Sequence, residues 1–467
     1  MRWSGALALS AVMILGGVTG SRGQDLLSSG DAASAAAGIP SLGGLRPSLP
    51  ENWSDLPVTI QASESVGYNS NVFAVPGGIS SLHPPQGDFF WLSNYGISGK
   101  APWEGQQFFF DASGGLYRYL REVSLDSIHY SVDAGVNWIY TSRCSGTLVL
   151  TEAQTPSNLG PTPTLGQPAA PVVPGQPITS TTVSSLGQQV GSGFINIVKT
   201  TSFNETATCH ISSDYSAILN SGYETSTNST APNIPNNFQD VFVAAGISYT
   251  VTQTNSLQAL ATYTSTEFPD RGILASATGL ASATGLAQHT GQLSFNVSYT
   301  RQFDTNFSVV ASIGAVGINN SGNGLFAFSL PTGFLPQYSF STTWAATPKL
   351  SFYATAAQTV TPPQAIIGNA QLIRSASAGM SYTITPKLSF TGGAAVSDTS
   401  GAFTSSVVSS TVANAGSQRT YSASASLAYA MTPFLGANLS YSYSKTDQAG
   451  LITPQSLVTL ALNFKPY

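Results

Sequence analysis

The sequence predicts an all-β protein, a transmembrane antiparallel up-and-down β-barrel of about eighteen strands. Three observations lead to this fold class. A short turn recurs between segments of alternating polarity. Short turns alternate with long loops along the chain. Only 8% of the residues are charged. The first two observations indicate hairpins, and the third indicates a surface that does not face water everywhere.

The recurring turn lies in the C-terminal part of the chain. The hexapeptide Thr-Pro-Lys-Leu-Ser-Phe occupies 347–352 and again 385–390, and a related Thr-Pro turn follows Met431. Polar and apolar residues alternate on both sides of each copy, which is the period of a strand with one polar and one apolar face. Thr and Pro in this setting favour a turn. Each copy is therefore expected to join the two strands of a hairpin.

The alternating segments are long enough to cross a bilayer. Around the last Thr-Pro turn, one apolar set runs from Tyr421 to Met431 and another from Leu435 to Tyr443. Each face extends for about ten residues, the length that a tilted transmembrane strand needs. The same pattern predicts eighteen strands, which begin near Val58, Asp88, Gln107, Ser127, Ser145, Ile195, Tyr215, Asp240, Leu257, Gln292, Phe307, Gln337, Leu350, Leu372, Leu388, Thr420, Leu435 and Gln455.

The connections between these strands predict a closed barrel. Short turns are expected at one end and long loops rich in Gly, Ser, Asn and Pro at the other, as in outer-membrane barrels. An even number of strands places both ends of the barrel on the short-turn, periplasmic side. Closure is needed because an open sheet edge in lipid would leave backbone groups without hydrogen bonds.

Composition narrows the class of protein. The 8% of charged residues compares with roughly 25% in ordinary soluble domains. The 16 basic and 21 acidic residues give a net charge of −5 without a basic patch, which excludes nucleic acid as an expected partner. The competing fold is a soluble, secreted β-helix or β-sandwich, but such a protein would carry more charge on its surface.

The N-terminal segment predicts secretion. Residues 1–23 have one Arg, an apolar core from Ala6 to Val18 and small residues after it, which is the layout of a secretory signal peptide. The apolar core is too short to span a bilayer as a helix. Residues 24–57 are expected to form a periplasmic linker rich in Ser, Ala and Pro, and residues 58–467 the barrel.

Three segments resemble the β-barrel porin 2 family of bacterial outer-membrane proteins. They are VGYNSNVF at 66–73, the segment from Asp88 to Leu120, and the segment from Ser131 to Thr155. The resemblance implies an integral outer-membrane barrel, in a family often encoded beside exopolysaccharide export genes. The first motif departs from the family pattern, because Asn69 and Ser70 stand where the family usually has acids.

The last strand has an expected partner. Val458, Leu460, Leu462 and Phe464 alternate with mostly polar or small residues, which resembles the C-terminal strand of bacterial outer-membrane proteins. The resemblance implies recognition by the barrel assembly machinery. The other expected partners are outer-membrane lipid and the solute itself, whereas the oligomeric state stays open.

An eighteen-stranded barrel encloses more volume than small side chains fill, so its interior holds either water or a plug. Residues 25–57 and 156–187 are candidate plugs, and extension of both into solvent is the alternative. We therefore expect a channel that passes small hydrophilic solutes or exported polysaccharide. The alternative is a non-conducting, plugged surface barrel that acts as an anchor or binding protein for an envelope or exopolysaccharide export complex. A lining mainly of Ser, Thr, Gly and Ala favours neutral solutes over ions.

The chemistry expected in the lumen is binding rather than catalysis. The four histidines lie far apart and no metal, phosphate-loop or nucleophile motif is found, so neither a catalytic residue, a metal nor a cofactor is predicted. Charged and aromatic residues on strands three and four could form a constriction that orients a sugar or screens ions, or simple structural ion pairs. The pore-lining candidates are Asp111, Tyr117, Tyr119, Arg121, His129, Asp133 and Asn137.

Two further features are open at this point. Cys144 and Cys209 both map to the periplasmic rim of neighbouring strands, so they are expected to form either a disulfide or two free thiols. Glu64 falls on the apolar face of strand one, where a charge is unfavourable, and a β-bulge or a shifted register is the expected reason.

Overall fold

The computed structural model describes residues 58–72, 86–103, 105–156, 197–229, 237–270, 289–304, 306–319, 333–361, 371–401, 418–448 and 451–464. The predicted signal peptide and linker, and almost all of the second candidate plug, lie outside these residues. Among the described residues there is one helical piece, the 3-10 turn Val123–Leu125, and no helix that could cross a membrane.

Eighteen strands make up the described part of the chain. The first nine are β1 (Val58–Asn69), β2 (Asp88–Trp103), β3 (Gln106–Tyr119), β4 (Ser127–Thr141), β5 (Cys144–Pro156), β6 (Ile197–His210), β7 (Tyr215–Asn228), β8 (Phe238–Thr252) and β9 (Asn255–Glu267). The second nine are β10 (His289–Gln302), β11 (Phe307–Asn319), β12 (Phe334–Thr347), β13 (Leu350–Thr361), β14 (Gln371–Thr385), β15 (Leu388–Gly401), β16 (Gln418–Ala430), β17 (Leu435–Gln448) and β18 (Leu451–Phe464).

The strands form one closed antiparallel sheet. Each strand pairs with its neighbours along the chain, and β18 pairs with β1. The seam between β1 and β18 is fastened at one end by Gln455, whose amide donates to the Asn69 side chain, and by Ser70, whose hydroxyl accepts from the Ser456 amide. The predicted fold class, an up-and-down β-barrel of eighteen strands, is confirmed.

The period-two pattern placed many strand starts at the residue where they occur, among them Val58, Tyr215 and Leu435. The largest difference is at β18, which starts at Leu451 and not near Gln455. Only two residues separate β17 from β18, so the two strands stay paired beyond the alternating apolar segment that marks a strand in the sequence.

The recurring Thr has a structural role in the turns. The hydroxyl of Thr385 accepts the backbone N–H groups of Lys387 and Leu388 at 3.3 and 3.0 Å. The hydroxyl of Thr432 accepts those of Phe434 and Leu435 at 3.2 and 3.0 Å. This side-chain turn satisfies donors that the strand ladder leaves over. These hydrogen bonds explain why the Thr of the Thr-Pro turn recurs along the chain.

Other turns at the same end use the same device with different residues. Thr141, Ser212 and Asp304 each accept backbone N–H groups two and three residues later. The turn between β2 and β3 instead contains Gly105, whose φ of +83° is in the left-handed region that Gly tolerates. We call this end of the barrel the short-turn rim and the opposite end the loop rim.

One connection departs from the predicted alternation of short turns and long loops. The β17 to β18 connection lies at the loop rim but has only two residues, 449 and 450. The prediction that every connection at this end is long is therefore wrong at this hairpin. The other connections at the loop rim separate their strands by at least seven residues.

The outer face of the barrel is apolar. Exposed aliphatic side chains occupy the middle of the strands, at Ile97, Val132, Leu150, Leu219, Ile247, Val297, Ile313, Leu439 and Leu460. Exposed aromatic residues follow the short-turn rim, at Trp103, Tyr140, Tyr215, Phe303, Trp344, Tyr382, Tyr429 and Phe464. Others follow the loop rim, at Tyr68, Phe89, Tyr223, Phe334, Tyr338 and Tyr421. An apolar band between two aromatic girdles is the surface that a transmembrane barrel presents to lipid.

Candidate functional site

The inner face of the barrel is the candidate site. Its residues can be identified because they alternate along each strand with the exposed apolar residues of the outer face. Because successive side chains of a strand point to opposite sides, residues that alternate with the exposed apolar set face the lumen. On β3 the exposed Phe108 and Phe110 place Asp111 and Tyr117 inside, and on β4 the exposed Ile128 and Val132 place His129 inside.

The loop-rim half of the inner wall at β1 to β4 is packed. Val72, Phe90, Tyr119 and Leu125 form a buried apolar cluster, with Tyr117 packed against it. Leu125 comes from the 3-10 turn that follows β3, so the connection between β3 and β4 folds back onto the wall. This part of the lumen is filled by side chains.

Asp88 fixes that folded-back connection. Its carboxylate is 2% exposed and accepts the backbone N–H groups of Phe89, Arg121 and Glu122 at 2.8, 2.9 and 3.0 Å. Asp126 accepts the N–H of Tyr119 in the same connection at 2.8 Å. Charge-assisted hydrogen bonds to backbone donors are stronger than neutral ones, so Asp88 holds the loop rim of this sector in one conformation.

His129 lies beside the buried cluster. Its Nε2 is 2.8 Å from the side-chain oxygen of Asn94, and its ring lies 5.2 Å from that of Tyr117. Gly115 is opposite, where an added Cβ would be 2.4 Å from Asn94 Oδ1 and 2.5 Å from His129 Cε1. The ring is 4% exposed, so His129 is a packed wall residue rather than a freely hydrated one.

The candidates nearer the short-turn rim are less covered. Asp111 and Asp133 are direct cross-strand partners, and the Thr151 hydroxyl donates to Asp133. Asn137 accepts the hydroxyl of Thr147 at 2.8 Å and donates to Gln107 at 3.4 Å. These contacts form two separate polar groups on the lumen side of β3, β4 and β5. The structure therefore brings Asp111 and Asp133 together, whereas Asn137 lies four residues farther along β4 with its own partners.

Two candidates have different positions from those predicted. Arg121 is not on β3, because the strand ends at Tyr119 and Arg121 lies exposed in the following connection. Beyond Tyr119 the Leu120 N–H still donates to the Phe89 carbonyl oxygen, and the Arg121 N–H donates to the Asp88 carboxylate instead of to β2. Tyr119 has the inward parity of Asp111 and Tyr117, but its ring is buried in the apolar cluster.

Sequence reasoning missed further charged residues on the inner face. Glu224 on β7 and Asp240 on β8 are direct cross-strand partners. Both alternate with exposed residues, Tyr223 and Val243, and so point inward. Lys100 on β2 also has inward parity. The alternation within β7 and β8 was the available signal, but the pairing of Glu224 with Asp240 depends on the register across a nine-residue connection.

The inner wall of β11 to β17 has a different character. Its inward residues are mostly Ser, Thr, Ala and Gly, and hydroxyl pairs cross between strands at Thr355 and Ser377 (2.6 Å) and at Thr391 and Ser426 (2.8 Å). A shallow recess on this wall is lined mainly by the same side chains. At the loop-rim end of β11 to β14, Val316 and Val360 form a second buried apolar cluster, with Ile318, Leu335 and Leu372 packed against it.

Cys144 and Cys209 are direct cross-strand partners near the short-turn rim. Their Cα atoms are 4.1 Å apart, and the structure joins them in a disulfide between β5 and β6. The sequence contains two cysteines, so both are used in this bond.

Glu64 faces outward without a bulge. β1 pairs in unbroken register with β2 from Val58 to Asn69, so the prediction of a bulge or a shifted register is wrong. Instead the carboxylate accepts hydrogen bonds from the Trp91 indole N–H, the Ser93 hydroxyl at 2.7 Å and the Tyr95 hydroxyl at 3.1 Å. Three donors on the adjacent strand reduce the cost of a carboxylate on the apolar face.

Within the described ranges, no group of three or more His, Cys, Asp or Glu side chains has the geometry to hold a metal ion. The inner face offers carboxylates, amides and hydroxyls to a hydrated solute. Their arrangement is suited to non-covalent recognition along a wall.

Comparison with known proteins finds no matching protein family and no matching curated protein. The resemblance to the β-barrel porin 2 family therefore stays a prediction.

Several solved structures have a similar fold at low sequence identity. The FrpB iron transporter of Neisseria meningitidis is 12% identical with a TM-score of 0.44, over 83% of this chain and 62% of that one. OpdQ of Pseudomonas aeruginosa is 11% identical with a TM-score of 0.42, over 87% and 97% of the two chains. The catecholate import receptor Fiu of E. coli K12 is 11% identical with a TM-score of 0.42, over 89% and 82%. This chain thus spans about three fifths of the length of FrpB.

Proposed function

We propose that this chain is an integral barrel of the bacterial outer membrane that forms a water-filled channel for small hydrophilic solutes. The observation that carries the proposal is the inner wall of β11 to β17. Its small inward residues, such as Ser377, Ser422 and Ser424, do not reach far enough to fill an eighteen-stranded barrel. The packed sector at β1 to β4 narrows the lumen from its side of the barrel.

The outer face supports the location. An exposed apolar band between two aromatic girdles would be unstable in water and is stable in a bilayer. The short turns fit the periplasmic side and the long loops the outside. Recognition of β18 by the barrel assembly machinery, and the predicted signal peptide, belong to the same proposal.

The proposed action has no covalent step. The inward groups bind and orient hydrated solutes by hydrogen bonding and charge, and the width of the lumen limits their size. Exported polysaccharide stays the larger candidate cargo, and an anchor or binding role for an export complex stays the competing function.

Single-channel recording separates these functions. The purified protein, inserted into a planar bilayer in potassium chloride, is expected to give steady conductance steps. A variant lacking residues 157–187 serves as the test of a plug. Steps in the unaltered protein support the channel, whereas silence that becomes large steps on deletion supports the plugged barrel. Silence in both proteins contradicts the channel and favours the anchor.

A further inference from the structure

One aromatic side chain interrupts the small side chains on the inner wall of β11 to β17. On these strands, as far as the structure describes them, the aromatic residues have outward parity, as Trp344 and its partner Phe352 do, and Tyr353 is the exception. Tyr353 is directly opposite Thr343, whose hydroxyl pairs with that of Ser308 inside the barrel. The Tyr353 side chain is half-buried, so part of its surface faces the lumen.

The Tyr353 ring lies across the neighbouring strand. Tyr353 is directly opposite Gly379 on β14, and a Cβ added at Gly379 would clash with Oη, Cζ and Cε1 of the tyrosine. The ring therefore occupies the space that a side chain at 379 would fill, with one face toward the β14 backbone and the other toward the lumen. Gly393 on β15 is directly opposite Gly379, so bare backbone continues beyond the ring. We call Tyr353, Gly379 and Gly393 the aromatic shelf.

Hydroxyl groups border the aromatic shelf on two sides. Toward the loop rim, Thr355 and Ser377 are directly opposite each other with their oxygen atoms 2.6 Å apart, and the shallow recess of this wall begins there. Toward the short-turn rim, Ser381 is opposite Thr391, whose hydroxyl pairs with that of Ser426 at 2.8 Å. Because a hydroxyl group both donates and accepts, each pair retains capacity to bind a solute.

The aromatic shelf lies on an uncharged wall. On the described strands β11 to β17, acidic and basic residues have outward parity; they are Arg374, Asp398, Arg419, Lys445 and Asp447. An ion that gives up water at the shelf would meet no opposite charge on this wall, which is unfavourable. The shelf is therefore suited to a neutral solute.

We propose that the aromatic shelf is a binding subsite for the pyranose rings of neutral sugars. A pyranose ring has a face of C–H bonds and carries hydroxyl groups around its edge. The C–H face fits the electron-rich face of Tyr353, and the edge hydroxyls exchange hydrogen bonds with Ser377 and Ser381. This inference rests on the proposed channel function and agrees with the expectation that neutral solutes are favoured.

Phe109 on β3 provides a matched control. It has inward parity and is directly opposite Gly135, and its ring fills the space of a side chain there as that of Tyr353 does at Gly379. The adjoining inward residues of β3 are Gln107 and Asp111, so the ring has no hydroxyl border on its own strand. A structural role of a ring over a glycine is common to both residues, whereas sugar binding is expected at Tyr353 alone.

The test is the interruption of single-channel current by maltotriose in a planar bilayer. Mannitol, which has hydroxyl groups but no ring, is the comparison solute. We expect maltotriose to interrupt the current of the unaltered protein briefly and mannitol to leave it steady. Y353L removes the ring and is expected to raise the half-blocking concentration of maltotriose about fivefold. Y353F and F109L should leave that concentration almost unchanged, and heat-modifiable mobility on gels shows that each variant is folded.

The outcomes separate the subsite from the channel. Interruptions that weaken in Y353L and persist in F109L support the subsite. Open channels that maltotriose does not interrupt, or equal weakening in Y353L and F109L, overturn the subsite and leave the channel standing. If the unaltered protein does not conduct, the channel is overturned, and saturation-transfer NMR of maltotriose with the same folded variants decides the subsite. If Y353L does not fold, S377V/S381V takes its place, with an expected rise of about threefold.

Discussion

The two sides of the lumen differ in what their side chains do. At β1 to β4 the wall is a packed assembly of aromatic rings, a buried histidine and a carboxylate that caps the folded-back connection. At β11 to β17 most inward side chains below the loop rim are small hydroxyl groups that pair across strands, and we call this sector the hydroxyl wall. Its packed part is confined to the loop rim, where Val316 and Val360 are buried. The comparison shows that one closed sheet places large packed side chains and small hydroxyl side chains on different arcs of the same ring.

The largest expected effect is on conductance and is confined to the hydroxyl wall. In S377W/S424W, two indole rings enter the lumen, and we expect single-channel conductance to fall to roughly half. Planar-bilayer recording measures this change. F110W, which alters an outward residue, is the control and should conduct like the unaltered protein. Equal conductance in S377W/S424W would show that solute does not pass along this wall.

The next effect is on the stability of the packed wall. D88A leaves the N–H groups of Phe89, Arg121 and Glu122 without their acceptor, and we expect a loss of about 3 kcal/mol in the free energy of unfolding. Denaturant titration of the protein in lipid vesicles measures it. S377A, on the hydroxyl wall, should cost less than about 1 kcal/mol. If D88A and S377A lose the same free energy of unfolding, the two walls do not differ in what their side chains contribute to stability.

Adding one methyl group at Gly115 tests how tightly the wall at β1 to β4 is packed. A Cβ there would lie 2.3 Å from the Ser93 carbonyl oxygen and 2.5 Å from His129 Cε1, so G115A is expected to destabilise the barrel by about 2 kcal/mol through overpacking. At Gly436 the nearest atom, the Tyr429 carbonyl oxygen, would be 3.6 Å away, so G436A should be close to neutral. The same vesicle titration compares the pair, and the reverse order of stability would refute the packed wall.

The smallest effect concerns the outer face of the packed sector. E64Q keeps one acceptor oxygen for the donors of β2 but loses the negative charge, so we expect a loss of about 1 kcal/mol. E64L removes both acceptor oxygens and leaves Trp91, Ser93 and Tyr95 without the carboxylate, and it should be the less stable of the two. If E64L is the more stable variant, the three hydrogen bonds do not offset the free-energy cost of a carboxylate on the apolar face.

Sequence reasoning reached the fold because period two is a local property. Tyr215 and Leu435 mark strand starts through their own neighbours, and the repeated Thr marks turns through its own side chain. The position of Arg121 could not be predicted because alternation does not show where a ladder stops, and the Arg121 N–H donates to the side chain of a distant residue, Asp88. The fold of each hairpin was therefore predictable, and the ends of some strands were not.

The site was less predictable for the same physical reason. Asp111 and Asp133 were predicted because each lies on the polar parity of its own strand. That Glu224 and Asp240 meet depends on the register of β7 with β8, which is set across a nine-residue connection and is not a local property of either strand. The sequence predicted a bulge or a shifted register at Glu64, because the three residues that donate to its carboxylate lie on the adjacent strand, about thirty residues later.

The measurement that tests the central claim most directly is chemical access to the hydroxyl wall during conduction. Both native cysteines form the disulfide, so S377C carries the one free thiol in the chain. A cationic methanethiosulfonate reagent added to the bath should lower the conductance of S377C channels in steps, while S131C on the packed wall and F110C on the outer face stay unchanged. Steady conductance in S377C after the reagent, with open channels before it, would contradict a water-filled path along β11 to β17.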